Sequence, residues 1–462
     1  MKIAIKNLGA IKQAEFTLGE LTIICGGNNT GKTYATYALF GFLSFWREAF
    51  SITVADGDVQ RLLNEGTIEL ALKDYVDNAS DILKNGCEAF TKQLSHVFAS
   101  SDKHFVDSFF AVALDPNDIQ PSPTFERTMG ATKAQLFSIS KKANSPLVTI
   151  SLLVQKEKVK IPREVINRII GDALKDIIFG HLFPHPFIAS AERTGAAIFR
   201  KELNFARNRL LEEMSSMEKD INPFELLSKV YTDYALPVKS NVEFTRQLEE
   251  YAKKESFIAK EHPAILNDFT DIIGGDYLVT KNDELYYVPK GKKIKLTMDE
   301  SSSAVRSLLD IGFYLRHVAA PGDLLMVDEP ELNLHPENQR RVARLFARLV
   351  NIGIKVFITT HSDYIIKELN TLIMFNQRGG RLEALAKREN YGELEFLDPG
   401  KVRVYIAEEA SIKLDGAKSK RRYPTLVPAD IDPKLGIEAS SFDKTIEDMN
   451  RVQEEIVWGG EE

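Results

Sequence analysis

Apolar and polar residues alternate from the second position of the chain. Lys2 to Lys6 and Lys12 to Leu18 read as strands, Gly9 and Gly19 mark the turns between them, and the apolar run Leu21 to Cys25 forms a third strand. A sheet that begins so early predicts that the first domain starts at the N-terminus. Tyr34, Tyr37, Ala38 and Phe40 then recur at helical intervals. From Arg47 to Gly180 the pattern is mixed, with a helix-like piece at Ala79 to Phe98 and strand-like alternation at Leu147 to Val154. His185 to Gly195 reads as a buried strand ending in a polar turn. Beyond it Phe199, Leu203, Ala206, Leu210, Met214 and Met217 trace an amphipathic helix, interrupted at Pro223 and followed by helical stretches at Phe224 to Leu236 and Val242 to Phe257. These predict a short helical arm. Tyr277 and Val279 alternate against Leu285 and Tyr287 across an Asn282-Asp283 turn, which is a hairpin signal. Leu324 to Val327 is a short apolar strand, Val342, Leu345, Phe346 and Leu349 give a helix one buried face, Gly353 ends it, and Ile354 to Thr360 is another apolar strand. The alternation of such strands with helices predicts an α/β fold.

Composition narrows the class without naming it. A chain of 462 residues with 44% hydrophobic and 27% charged residues is globular and long enough for two or three structural units. Its net charge of −7 argues against a surface that generally coats DNA. Arg340, Arg344 and Arg348 form a basic stripe read as a solvated face, and Lys418 to Arg422 reads as an exposed loop, with contact to a partner or nucleic acid as the lesser option. Cys25 and Cys87 give no disulfide framework, and the eight histidines show no metal-ligand spacing. The opening residues read as a strand rather than a signal peptide, and the apolar stretch Tyr34 to Trp46 is too short to span a bilayer. A cytoplasmic protein with no membrane partner is expected.

Chemistry concentrates in four places. Gly26-Gly27-Asn28-Asn29-Thr30-Gly31-Lys32-Thr33 stands between a strand and a helix, the order a phosphate-binding loop requires. Its backbone N–H groups and Lys32 would hold phosphate oxygens, and the Thr33 hydroxyl would reach Mg²⁺. A glycine-rich turn ahead of a core helix is the blander alternative. Asp328 and Glu329 end an apolar strand, where Asp328 would hold Mg²⁺ through water and Glu329 would orient or deprotonate the attacking water. His361 ends the next strand, within reach of a γ-phosphate or simply structural. Ser302 and Ser303 precede a helix, as N-caps or as an anion site for a second copy's nucleotide. Thr280 to Asp283 matches a loose guanine-reading pattern but falls on the predicted turn.

Taken in this order, the segments resemble the ABC-type ATPase heads of the SMC, RecF and overcoming-lysogenisation-defect groups. Gly26 to Thr33 is similar to Walker A, Ser302 to Arg306 to the signature motif, Leu324 to Glu329 to Walker B, Glu331 to Pro336 to the D-loop, and His361 to the switch histidine. The resemblance implies a P-loop NTPase head with a large mixed α/β and helical insertion. It assigns catalysis to Lys32, Glu329 and His361, nucleotide contacts to Gly26, Asn28, Asn29, Thr30, Gly31, Lys32, Thr33, Ser302 and Ser303, and the metal to Thr33 and Asp328. ATP and Mg²⁺ are the implied ligands. Domains are expected at 1–45 (ATPase, P-loop part), 46–290 (inserted lobe with the arm), 291–400 (ATPase, signature and Walker B part) and 401–462 (a C-terminal segment packed on the ATPase domain). Ala304 stands where many relatives have glycine, which hinders close backbone approach to a γ-phosphate. The chain looks most like the ATPase subunits of PARIS-type anti-phage systems. That likeness implies pairing of heads in a homo-oligomer, a hexamer among the options, a separate TOPRIM-type effector nuclease and a phage-encoded trigger. A DNA-acting SMC/RecF-like ATPase and an ATP-binding scaffold with little turnover stand as alternatives. Glu408 or Glu409 with Asp430 and Asp432 superficially match a built-in TOPRIM nuclease, but the interval is too short for its crossovers, so no nuclease is expected in this chain.

Overall fold

The computed structural model describes residues 1–131, 134–153, 162–199, 234–437 and 449–456. The helical arm expected from Leu203 to Met217, and the stretch Phe224 to Asp233, lie outside them. The chain divides into two compact units, one made of residues 1–4, 41–94 and 109–185, the other of 5–40, 95–108 and 186–462.

The chain opens with strands β1 (Lys2–Leu8), β2 (Ile11–Thr17) and β3 (Leu21–Cys25), at the places the alternation predicts. All five residues of β3 are buried. A strand covered on both faces must be apolar throughout, and LTIIC is, apart from Thr22. The helix Lys32–Ala49 follows the glycine loop.

The first unit holds β4 (Thr67–Ala71), β5 (Phe109–Ala113), β6 (Phe125–Ala131), β7 (Ala134–Lys141) and β8 (Leu147–Leu152). Four of them form an antiparallel sheet in the order β4-β8-β7-β6. Its core is aromatic: Phe42 lies edge-on to Phe90 and Phe183, and Phe50 edge-on to Trp46 and Phe179, with ring centres 5.1–5.6 Å apart. Such pairs contribute about 0.5–1.5 kcal/mol each beyond the area they bury. The single helix expected over Ala79 to Phe98 is two, Ala79–Thr91 and Leu94–Val97. Near the break the Thr91 hydroxyl and the backbone of Phe110 on β5 hydrogen-bond to each other.

The second unit is built on a six-stranded sheet with order β16-β15-β3-β14-β13-β9, where β9 is Pro186–Ala189, β13 Leu324–Asp328, β14 Lys355–Thr360, β15 Val402–Ile412 and β16 Arg421–Pro428. Every neighbour pair is parallel except β15 with β16. Strand β9, within the span 46–290 expected as an inserted lobe, is an edge of this sheet, and the C-terminal segment supplies two of its strands. The hairpin of β10 (Gly275–Val279) and β11 (Leu285–Pro289), to which the short β12 (Leu296–Thr297) adds, turns where expected, with Asp283 at φ +57°. Thr280 to Asp283 is therefore turn structure. The helix Pro336–Asn351 starts on a His335 cap and buries Val342, Leu345, Phe346 and Leu349. Its basic stripe is not a solvated face. Arg340 pairs with buried Glu368, Arg344 with buried Glu395 and Arg348 with Asp268, so the stripe fastens the helix to its neighbours. Lys418 to Lys420 forms an exposed connection, but Arg421 and Arg422 already belong to β16.

Candidate nucleotide site

In a parallel sheet the carboxyl ends of all strands lie on one side, and ligands collect there. Here β3 delivers the glycine loop, β13 delivers Asp328 and Glu329, and β14 delivers His361 to that side. Asn28 to Tyr34, Glu329, His361 and Ala10 line one hollow of about 610 Å³. Ser302 and Ser303 do not line it. Ser302 caps the five-residue helix Ser303–Ser307, its hydroxyl accepting from the Val305 N–H.

The loop's shape follows from three positive-φ positions, Gly26 (+138°), Asn29 (+60°) and Gly31 (+94°). A Cβ at Gly26 would lie 2.6 Å from the Ala407 carbonyl oxygen of β15, and one at Gly31 would lie 2.6 Å from the Ile11 side chain. Only glycine fits at either place. Thr30 closes the loop by donating to the Gly27 carbonyl at 2.8 Å. Lys32 is buried and donates to the carbonyls of Gly26 and Gly27 at 2.9 and 2.7 Å. Two of its three N–H groups are thus engaged with the loop itself. Burial pulls its pKa below the ordinary lysine value, opposed by Glu329, Asp328 and Glu331. Thr33, next to it, is exposed.

Asp328 is 1% exposed, and burial raises its pKa to about 6. The Thr359 hydroxyl donates to its Oδ1, whereas Oδ2 has no hydrogen-bond partner among the described residues. A buried carboxylate oxygen left free is costly unless something fills the place, and a hard cation suits it. Among the described residues no cluster of three or more His, Cys, Asp or Glu side chains is placed to hold a metal. Thr33 and Asp328 therefore fit Mg²⁺ held mainly by water and phosphate, where it would neutralise charge on the phosphates.

Glu329 has φ +53°, a conformation that costs a residue with a side chain about 1–3 kcal/mol and persists only where neighbours enforce it. Its N–H donates to the carbonyl and hydroxyl oxygens of Thr359, at 3.1 and 3.2 Å. Its own carbonyl accepts from Arg193 at 2.8 Å. His361 is half-exposed, with Nδ1 3.2 Å from Glu331 Oε1 and 3.9 Å from Glu329 Oε1. Glu331 is buried and its Oε1 also accepts from the His361 N–H at 2.7 Å and from the Thr360 hydroxyl at 2.9 Å.

Two residues here lie beyond the sequence assignments. Glu331 fixes the turn that carries His361, and Arg193 spans Ser190, Ser307, Asp328 and Glu329. Glu331 falls in the segment similar to the D-loop, but its partners Thr360 and His361, like Ser307, Asp328 and Glu329 for Arg193, are distant in sequence, so no local motif announces these contacts. Arg193 opens the helix Arg193–Ile198, directly after the polar turn that follows β9.

A glycine loop at the end of one parallel strand and a carboxylate pair at the end of another define a mixed α/β P-loop nucleotide-binding fold. Residues 1–366 match the family model described as "AAA ATPase domain", and the chain belongs to that family. Among solved structures, similarity extends to an Smc head bound to the C-terminal winged-helix domain of ScpA, at 12% identity over 92% of this chain and 97% of that one, with a TM-score of 0.32. It extends likewise to the SMC head domain from Thermotoga maritima (10% identity, 93% and 98% covered, TM-score 0.30). The Pyrococcus furiosus Smc head with an extended coiled coil, bound to the C-terminal domain of ScpA, gives 13% identity, 98% of both chains covered and a TM-score of 0.30. No curated protein matches the sequence. No helix among the described residues is long and apolar enough to cross a membrane.

Proposed function

We propose that this chain hydrolyses ATP as the sensor and scaffold subunit of an anti-phage defence system, in the manner of the AriA subunit of PARIS, restraining a separate TOPRIM-type nuclease until a phage protein triggers its release. The observation that carries the catalytic half is the meeting of Lys32, Glu329 and His361 around one hollow, next to an Asp328 oxygen that lacks a partner. Lys32 would bind the phosphates, Glu329 would orient and deprotonate water, and His361 would contact the γ-phosphate. The resemblance of the ordered motifs supports the defensive half. Ser302 and Ser303, absent from the hollow's wall, leave it open to completion by a second copy, with the heads pairing as a homo-oligomer in the cytoplasm. The DNA-acting alternative is weakened because Arg340, Arg344 and Arg348 are engaged by carboxylates. Ala304 keeps the low-turnover scaffold as a second reading.

Turnover by purified protein tests the enzyme. Glu329→Gln should lower kcat by at least about a hundredfold, and equal, negligible rates in both proteins would leave the scaffold reading. In cells, Lys32→Ala should abolish protection against phage; undiminished protection would rule out an ATP-dependent defence.

A further inference from the structure

Arg193 is 1% exposed, yet among the described residues its hydrogen bonds run only to backbone oxygens. Nε donates to the Ser307 carbonyl at 2.7 Å, Nη1 to those of Ser190 at 2.8 Å and Asp328 at 2.6 Å, and Nη2 to that of Glu329 at 2.8 Å. We propose that Arg193 is a positioning residue for hydrolysis, a clip that holds the left-handed Glu329 turn and ties it to the end of the helix Ser303–Ser307. This rests on the ATPase reading above.

Taking a guanidinium out of water is expensive, and a turn can be fastened by neutral groups. What arginine adds is a rigid planar fork that reaches several acceptors at fixed angles. Two of its four acceptors are the consecutive carbonyls of Asp328 and Glu329, so the two peptide planes on either side of the Glu329 Cα are both held. A third, Ser307, terminates the helix that Ser302 caps. Any displacement of that helix therefore pulls on the peptide presenting the Glu329 carboxylate. Asp310 also lies near the guanidinium but makes no hydrogen bond among the described residues, which leaves the Arg193 N–H groups to the carbonyls.

The test compares full-length wild type with Arg193→Lys and Arg193→Met, using Glu329→Gln as the reference for catalysis. Steady-state turnover, affinity for a non-hydrolysable ATP analogue and amide hydrogen exchange are measured on each. Lysine keeps the charge but cannot span the four carbonyls. Both variants should lose about tenfold or more in kcat, with KM and analogue affinity held within about twofold. Exchange should quicken in peptides covering 302–308 and 327–332 and stay unchanged over the glycine loop. Unaltered exchange in either peptide, unaltered kcat, or analogue affinity lost in step with kcat would overturn the assignment. Failure of Arg193→Lys to fold would also overturn it. Turnover insensitive to Glu329→Gln would instead sink the ATPase reading, and the exchange result would still decide the clip.

Discussion

At the scale of single residues, this site keeps more buried charge than its hydrogen bonds balance. Asp310 is 1% exposed, neither carboxylate oxygen has a hydrogen-bond partner among the described residues, and burial raises its pKa to about 7 despite the opposing influence of Arg193. The hydroxyl of buried Tyr277 also feels it. The folded state holds the Asp310 proton where the unfolded chain, near 3.8, has already released it. Stability from this group is therefore fully present below about pH 4 and is lost as pH rises toward about 7. Asp310→Asn cannot ionise and escapes that loss. Thermal unfolding across this range should show the variant gaining on wild type with rising pH and levelling off above about pH 7. A constant difference between the two would mean that Asp310 does not titrate there.

At the scale of elements, the sequence was readable where the signal is local. The glycine loop, the carboxylate pair after Val327 and the hairpin about Asp283 each carry turn chemistry within a few residues. Long-range pairing was not readable. Nothing in VRVYIAEEASI says that it lies beside LTIIC, and nothing in PFIA says that it borders LLMVD. The basic stripe failed for the same reason, because helical spacing gives a face but not what covers it. On that helix Arg344 reaches Glu395 at 2.8 Å and lies over the Tyr391 ring at 4.5 Å. Arg344→Ala would leave a buried carboxylate unpaired and lower the unfolding free energy by about 1–3 kcal/mol. Arg341→Ala, whose partner Glu337 is half exposed, should cost less than about 1 kcal/mol. Denaturant titration separates the two, and equal effects would return the stripe to an ordinary solvated face.

At the scale of the whole molecule, the nucleotide site is assembled from segments far apart in the chain. Strand β3 sits between β14 and β15, and Gly26 packs against Ala407. A ligand bound there stabilises the folded state by mass action, about 2.7 kcal/mol at a hundredfold excess over Kd. Mg²⁺ with ATP should therefore raise the melting temperature of wild type, and of Glu329→Gln equally, but not of Lys32→Ala. A shift surviving in Lys32→Ala would place the bound nucleotide elsewhere.

The position of β15 also sets an order of events during synthesis. The glycine loop leaves the ribosome early, but the strand that Gly26 must lie against follows hundreds of residues later. Until Val402 to Ala407 has emerged, β3 lacks one of its two neighbours and the loop lacks its floor. A nascent chain can thus carry the complete phosphate-loop sequence and still have no finished site. Capture of nucleotide becomes a late report that nearly the whole second unit has folded, and the apolar edge of β3 stays open to wrong partners until then.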